Sequence, residues 1–261
     1  MVWVMRSDLY HQFDLSREIS QSLAGRTALL KLLPLSISEL SQIDEYQAIN
    51  ADELIQLKNL QLFEKFVRLL AGRSGQILNM QSLANDVGVS GNTVGEWVSL
   101  LEASYIAFRL PPWFANIGKR LIKSPKLYFY DVGLAAWLMG ITRKEHLVTH
   151  PLRGHLFENM VVLEILKILH NQGQKPTVYF YRDSAKNEAD ILLEAGDGIR
   201  LLEIKSAQTV ASDAMNAMRK VTEILGERVK DTGLVYGGDD HQQRSDFQVL
   251  SYKSVGQWLD D

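Results

Sequence analysis

The chain has 261 residues, of which 46% are hydrophobic and 23% charged, a composition typical of a folded globular protein with one large or two modest domains. Its formal net charge of −3 excludes a general electrostatic attraction to nucleic acid, so any nucleic-acid-binding surface has to come from local clusters of Lys and Arg. The absence of cysteine excludes disulfides and thiol catalysis, and it fits a cytoplasmic location.

Residues 1–41 hold one amphipathic segment and one strand-like run. The amphipathic segment is Leu15–Leu23, and the strand-like run is Thr27–Leu33, which Pro34 ends. Residues 42–58 are polar and weakly periodic, so we interpret them as a linker.

We expect no membrane association from the apolar stretches of the chain. The run Met1–Arg6 is too short for a signal peptide. The longest apolar stretch, Leu127–Ile141, contains Asp131 and is shorter than the roughly 20 residues that a membrane span needs.

Residues 59–150 are predicted to form a helical, winged-helix-like domain. Leu62, Phe66 and Leu69 lie at helical spacing and predict a first helix over Leu60–Leu70. A helix-turn-helix and the two strands of a wing are expected to follow, in the order Gln81–Val87, Gly88–Ser90, Thr93–Ala103, Tyr105–Leu110 and Lys126–Tyr130.

From residue 151 the pattern changes to alternating helix and strand, and residues 151–261 are predicted to form an α/β (α+β) domain. Its expected order is α-β-β-β-α-β, since one apolar helical segment precedes three β-rich runs, a second helix and a short buried strand. These elements are Leu156–Leu169, Thr177–Arg182, Glu188–Glu194, Ile199–Lys205, Asp213–Leu225 and Gly233–Tyr236.

Charged residues on these elements predict a metal site. Glu203 and Lys205 alternate with Ile204 and so point to one face of a strand, and Asp190 lies on the preceding antiparallel strand. Two carboxylates about 4 Å apart repel by roughly 4 kcal/mol at an effective dielectric of 20, and a divalent cation such as Mg²⁺ or Mn²⁺ would relieve that repulsion. Glu158 shares a helix face with aliphatic side chains, where a carboxylate is costly unless something compensates it, so we add it as an accessory ligand.

Asp190, Glu203 and Lys205 are therefore the candidate catalytic residues, and Asp190, Glu203 and Glu158 the candidate metal ligands. Lys205 would hold a water or stabilise charge on a phosphoryl oxygen. The alternative is an ordinary ion pair between Glu203 and Lys205 at a sheet edge, with Asp190 merely near a turn. The order of all four residues on helix, strand and strand favours a site.

Two stretches resemble the core of the PD-(D/E)XK nuclease superfamily. They are Asn187–Glu194, which reads NEADILLE, and Leu202–Ala207, which reads LEIKSA. The resemblance implies a restriction-endonuclease-like fold and metal-dependent cleavage of DNA through Asp190, Glu203 and Lys205.

More of the chain is similar to the uncharacterised C-terminal region of prokaryotic AAA-type ATPases. The matching motifs are Ser82–Asp86 (SLAND), Leu101–Tyr105 (LEASY), Gly118–Leu121 (GKRL), Ser124–Phe129 (SPKLYF), His150–Gly154 (HPLRG) and Phe157–Glu158. Ser20–Arg26 and Leu32–Ser36 resemble the closing end of the ATPase domain, which implies that residues 1–41 are a remnant of that domain. Arg26 matches an arginine expected near a nucleotide or a neighbouring subunit, although a solvated charge at a helix end is the interpretation we favour here.

No ATP site is predicted in this chain. A phosphate-binding loop needs Gly-x-x-x-x-Gly-Lys-[Ser/Thr], whereas the single Gly-Lys pair is Gly118-Lys119, with Trp113 at the position of the first glycine. The chain therefore looks like a family member without most of its ATPase domain, and we expect no ATPase activity.

DNA recognition is predicted to rest on a basic cluster rather than on the second helix of the helix-turn-helix. That helix offers Gly95 and Glu96 where basic residues would serve better. The cluster that remains, for which a solvated loop is an equal alternative, is Lys119, Arg120, Lys123 and Lys126.

Three functions are compatible with this sequence. The first is a Mg²⁺- or Mn²⁺-dependent DNA endonuclease, and the second is a non-catalytic DNA-binding or regulatory module. The third is an inert remnant of a longer ATPase, whose partners would be an ATPase domain or other subunits. All three share one fold, so the fold alone does not separate them.

Overall fold

The computed structural model describes residues 51–114, 123–174, 176–196 and 198–260. In chain order its helices are α1 (Ala51–Ala71), α2 (Met80–Val87), α3 (Gly91–Ala103), α4 (Val132–Leu138), α5 (Lys144–Thr149), α6 (Arg153–Asn171), α7 (Asn216–Leu225) and α8 (Val255–Asp260). Its strands are β1 (Ala107–Leu110), β2 (Lys126–Phe129), β3 (Val178–Arg182), β4 (Glu188–Ala195), β5 (Gly198–Lys205), β6 (Val229–Tyr236), β7 (Gln242–Gln243) and β8 (Gln248–Ser251).

The predicted α+β class is confirmed, and α6, β3, β4, β5, α7 and β6 follow one another in the predicted order α-β-β-β-α-β. The segments predicted within residues 1–41, including Arg26, and the basic residues Lys119 and Arg120 lie outside the described residues. No helix in the described ranges is long and apolar enough to cross a membrane.

The prediction of a linker over residues 42–58 is wrong for its last part, because helix α1 begins at Ala51. The stretch from Ala51 to Lys58 is rich in Ala, Glu, Leu and Gln, which have high helix propensity even where the apolar periodicity is weak. Propensity therefore indicated the start of this helix better than periodicity did.

Helices α2 and α3 form a helix-turn-helix with well-defined caps. Asn79 begins α2 by accepting a hydrogen bond from the Ser82 N–H, at 2.9 Å. Gly88 ends the helix at φ 94°, a left-handed conformation that favours glycine. Ser90 then caps α3, accepting from the Thr93 N–H at 3.1 Å. Strands β1 and β2 pair in antiparallel fashion after it, as a wing would.

A six-stranded mixed sheet of order β3-β4-β5-β6-β8-β7 forms the C-terminal half. Strands β3, β4 and β5 are antiparallel, while β6 is parallel to both β5 and β8. Helix α7 covers one face with Met218 and Val221. Helix α6 packs on the other face, where its side chain Val162 is fully buried.

One hydrophobic core joins the two predicted domains. The same cluster of buried side chains contains Phe66 and Val98 of the helical part and Phe157 and Trp258 of the α/β part. Polar contacts add to this junction, because the buried amide of Asn159 on α6 binds both backbone groups of Phe129 on β2, at 2.9 and 2.8 Å. Strand β2 is thereby fixed against α6, and this contact positions the site.

Candidate functional site

Four elements bring charged side chains to one place. Helix α6 contributes Glu158, strand β4 contributes Glu188 and Asp190, strand β5 contributes Glu203 and Lys205, and strand β2 contributes Lys126. We call these six residues the carboxylate cluster: Lys126, Glu158, Glu188, Asp190, Glu203 and Lys205. All but Lys205 and Glu188 are largely shielded, with side chains between 4% and 14% exposed.

Lys126 lies among three of the carboxylates. Its Nζ is 2.9 Å from Oε1 of Glu158, 2.8 Å from Oε1 of Glu188 and 3.6 Å from Oδ1 of Asp190. The ammonium also stands over the ring of Phe180, 5.5 Å from its centroid. A buried lysine is tolerated only when it is paired, and here the pairing is with several acids at once.

Asp190 occupies an irregular part of strand β4. Tyr179 pairs with Leu192 but Tyr181 pairs with Ala189, so β4 has one more residue than β3 in this interval and forms a bulge that includes Asp190. Its Oδ2 accepts a hydrogen bond of 2.9 Å from the N–H of Ile204 on β5. That bond holds the carboxylate beside the end of β5, next to Glu203.

Lys205 is the most exposed member of the carboxylate cluster, and it is paired with the shielded Glu203. The Nζ of Lys205 donates to Oε1 of Glu203. The Glu203 side chain is 9% exposed and that of Lys205 44%, so Lys205 stands where solvent or a substrate reaches the cluster. Arg153 at the start of α6 anchors Ser206, the residue after Lys205, by donating a hydrogen bond of 2.9 Å to its backbone oxygen.

Glu158 is enclosed by donors of this chain. Its Oε1 accepts from Tyr128 OH at 2.6 Å as well as from Lys126, and Nδ1 of His155 lies 3.8 Å from its Oε2. Gly75, at φ 74°, backs this carboxylate closely, since a Cβ there would lie 3.4 Å from the same oxygen. Glu158 is thus committed to contacts within the protein.

The pKa values divide the carboxylates into two groups. Burial would raise the pKa of Glu158, but the charge of Lys126, with the nearby ring of His155 and the hydrogen bond from Tyr128, lowers it to about 2. Burial and the neighbouring charge of Glu158 raise the pKa of Asp190 to about 6. Burial and the charge of Asp190 raise the pKa of Glu203 to about 8. Asp190 and Glu203 therefore hold their protons to a higher pH than ordinary carboxyls, and Glu203 ionises fully only above about pH 8.

The pKa values of both lysines of the cluster are also raised, because the acids around them outweigh the effect of burial. Burial would lower the pKa of Lys126, but the surrounding acids raise it well above its ordinary value. Burial would also lower the pKa of Lys205, but Glu203 and Asp190 raise it. Both lysines are consequently charged at neutral pH.

Among the described residues, no group of three or more His, Asp or Glu side chains is arranged to hold a metal ion by itself. Of the three predicted metal ligands, Asp190 and Glu203 lie together, and Glu158 is engaged by other side chains. Asp190 and Glu203 lie on the neighbouring strands β4 and β5, with the half-exposed Lys205 beside Glu203, whereas Glu158 is held by Lys126 and Tyr128. A cation here would have two carboxylates, and its other ligands would be water or substrate oxygens.

The predicted basic cluster needs a correction at Lys126. This residue is 3% exposed and bound to carboxylates, so it presents no charge to a nucleic acid. The reason is that β2 is sandwiched against α6 and does not stand free as a wing. Lys123 is exposed, as the prediction requires. Helix α3 exposes Glu96, so its surface remains unsuited to phosphates.

Three residues of the site were not predicted: Lys126 in its acidic surroundings, Tyr128 and Glu188. A signal for them exists in the sequence. Lys126 and Tyr128, like Glu188 and Asp190, are two residues apart on strands and so can face the same way. Polar pairs at this spacing inside apolar strands indicate a shared buried partner.

Comparisons with known proteins give relatives without an assigned function. Residues 22–145 match the domain of unknown function DUF8612, and residues 153–255 match the domain of unknown function DUF4143. The uncharacterized proteins Rv2008c of Mycobacterium tuberculosis and Mb2031c of Mycobacterium bovis are each 29% identical to this chain over 198 residues.

The match covers 73% of this chain and 43% of each relative, so the chain spans less than half the length of the curated relatives it matches. Among solved structures, protein VC1899 from Vibrio cholerae is 13% identical and matches over 81% of this chain and 58% of its own, with a TM-score of 0.29. At that TM-score the likeness carries no argument about fold or function. The comparisons thus relate the two halves of this chain to two domain families of unknown function.

Proposed function

We propose that this chain hydrolyses phosphodiester bonds of DNA with a divalent cation, Mg²⁺ or Mn²⁺, held by Asp190 and Glu203. One observation carries the proposal. Two shielded carboxyls lie on neighbouring strands, since Asp190 on β4 accepts from the N–H of Ile204, the residue next to Glu203 on β5, at 2.9 Å. Burial and the charge of Asp190 together raise the pKa of Glu203 to about 8, and the half-exposed Lys205 stands directly beside Glu203. Two neighbouring carboxyls beside a solvent-accessible lysine are suited to binding a cation.

The donor set fits Mg²⁺. This ion takes oxygen ligands and is commonly held by one or two carboxylates, with water and substrate phosphates completing its shell. When bound, such a cation polarises a phosphoryl oxygen and lowers the pKa of a bound water. Glu158 is not needed as a ligand, since Lys126 and Tyr128 already occupy its Oε1.

Each residue of the site has a task within this proposal. The Ile204 N–H orients Asp190 by donating to its Oδ2, which leaves Oδ1 toward the interior of the cluster. Lys205, paired with Glu203 in this structure, would donate to the attacking water or to a phosphoryl oxygen once a substrate is present. Arg153 keeps this end of β5 in place through the backbone of Ser206.

We also propose that the chain acts as the C-terminal part of an AAA-type ATPase family protein and has no ATP site of its own. Support comes from motifs that resemble that family, such as Ser124–Phe129 (SPKLYF) and His150–Gly154 (HPLRG). An ATPase domain or other subunits would then be its partners. The purified chain should show no ATP turnover, and measurable turnover would overturn this proposal.

A plasmid assay tests the nuclease. The protein is incubated with supercoiled plasmid and Mg²⁺ or Mn²⁺, beside Asp190→Ala and Lys205→Ala. The matched controls are Asp213→Ala and Lys220→Ala, which remove an exposed carboxylate and an exposed lysine outside the cluster. Nicking should require the cation, disappear in both site variants and persist in both controls. Nicking that survives Asp190→Ala would come from another site or a contaminant.

A second candidate is a non-catalytic DNA-binding or regulatory module. The closed ion pairs of the cluster favour it, because Lys126 neutralises Glu158 and Glu188 while Lys205 binds Glu203. Such a network can stabilise a fold without catalysing anything. Plasmid binding without cleavage would select this candidate. Neither binding nor cleavage would leave an inert remnant of a longer ATPase.

A further inference from the structure

Lys126 is a cation built into an acidic site. Its side chain is 4% exposed and comes from β2, a strand outside the six-stranded sheet that carries the other members of the cluster on β4 and β5. Its Nζ lies within 3.6 Å of oxygens of Glu158, Glu188 and Asp190. No other described lysine is this deeply enclosed by carboxylates.

The position of Lys126 is held from several sides. The Oε1 of Glu158 accepts from both Lys126 and Tyr128, and Glu188 joins Lys126 through Oε1 and Arg182 through Oε2, at 3.1 Å. The backbone of β2 is in turn fixed by Asn159. These contacts hold the ammonium of Lys126 in place between Glu158 and Glu188.

We propose that Lys126 is a specificity-determining residue that takes the place of a second divalent cation. Its ammonium lies closest to Glu158 and Glu188, at 2.9 and 2.8 Å, and farther from Asp190, at 3.6 Å. Its positive charge therefore repels a divalent cation most strongly from the half of the cluster formed by Glu158 and Glu188. The site then holds one cation, at Asp190 and Glu203, and operates without the two-cation arrangement used by many phosphodiesterases. This inference rests on the proposed function, because it assumes that Asp190 and Glu203 bind a cation.

The test counts bound Mn²⁺ by isothermal titration calorimetry at pH 8, with circular dichroism to monitor folding. Lys126→Met removes the ammonium and keeps an unbranched apolar side chain. The wild-type chain should bind one Mn²⁺, and Lys126→Met should bind two, because the vacated carboxylates become a second site. The double variant Lys126→Met/Glu158→Gln should return to one. Lys220→Met, a change at an exposed lysine, should keep one.

The outcomes separate the inference from the proposed function. One Mn²⁺ in both the wild-type chain and Lys126→Met would overturn the inference alone, and so would two in the wild-type chain. If the wild-type chain binds no Mn²⁺, the proposed function is wrong, and the predicted count of one bound cation is wrong with it. If Lys126→Met unfolds without metal, Mn²⁺ should restore its circular dichroism spectrum. Failure of Mn²⁺ to restore it would contradict the inference, because a divalent cation should replace the ammonium.

Discussion

Replacing Glu158 with Gln should weaken the fold in a manner that depends on pH. In the folded chain Lys126, with Tyr128 and His155, lowers the pKa of Glu158 from its ordinary 4.5 to about 2. A lowering of about 2.5 units corresponds to about 3 kcal/mol, because each unit is worth 1.36 kcal/mol. The side chain is only 11% exposed, so solvent screens this interaction little.

The sign follows from the direction of the shift. A carboxyl whose pKa is lowered on folding contributes its full stability above the unfolded value of 4.5 and loses it as the pH falls toward the folded value of about 2. We therefore compare the free energy of unfolding of the wild-type chain with that of Glu158→Gln. The difference between them should be about 3 kcal/mol larger at pH 7 than at very low pH. Roughly half of this excess should be gone at pH 3.

Urea denaturation followed by tryptophan fluorescence, in EDTA at pH 7, 5 and 3, measures the difference. Glu223→Gln, an exposed carboxylate on α7, is the matched control and should change stability by less than about 0.5 kcal/mol at each pH. A Glu158→Gln variant as stable as the wild-type chain at pH 7, or a difference that does not vary with pH, would show that Lys126 and Tyr128 do not stabilise the ionised Glu158 in the folded chain.

Three further predictions concern the surroundings of the cluster. The affinity for Mn²⁺ should rise between pH 6 and pH 8, by up to about tenfold per pH unit for each proton released on binding. The reason is that pKa values of about 6 for Asp190 and about 8 for Glu203 let protons compete with Mn²⁺ for these carboxyls. A calorimetric affinity that does not change with pH would contradict this prediction. Gly237→Ala should cost about 1–3 kcal/mol in urea denaturation, because a Cβ there would lie 2.8 Å from the backbone oxygen of Ser206; unchanged stability would mean that the end of β5 is pliable. Asn159→Ala should cost roughly 2–5 kcal/mol in the same assay, since it leaves two buried backbone groups of β2 without partners; a cost below about 1 kcal/mol would argue against the docking of β2 on α6.

The local parts of the fold could be predicted from local signals. Helix α6 and strands β3 to β5 follow the apolar periodicity closely. Strand β6 begins at Val229, four residues before the predicted start at Gly233. The first residues of β6 were missed because Lys, Asp and Gly are depleted in strands, and this stretch contains Lys230, Asp231 and Gly233.

The part of the candidate site that lies on β4 and β5 could be predicted, because side chains alternate along a strand and the two strands are neighbours. Glu203, Lys205 and Asp190 meet at one end of the sheet, although the bulge in β4 makes alternation an incomplete guide to where Asp190 points. Lys126 was not predictable as a member of this site. It lies 32 positions from Glu158, and a lysine is expected on the surface unless a long-range contact compensates its charge.

Equilibrium binding of Mn²⁺ tests directly whether Asp190 and Glu203 hold a divalent cation, without any assumption about the substrate. Free Mn²⁺ is measured by electron paramagnetic resonance at pH 8, with the wild-type chain, Glu203→Gln and the control Glu223→Gln. We expect one bound Mn²⁺ in the wild-type chain and in the control, and none in Glu203→Gln at the same concentrations. A wild-type chain that binds no Mn²⁺, or a Glu203→Gln variant that binds it equally well, would show that these two carboxyls do not hold the cation.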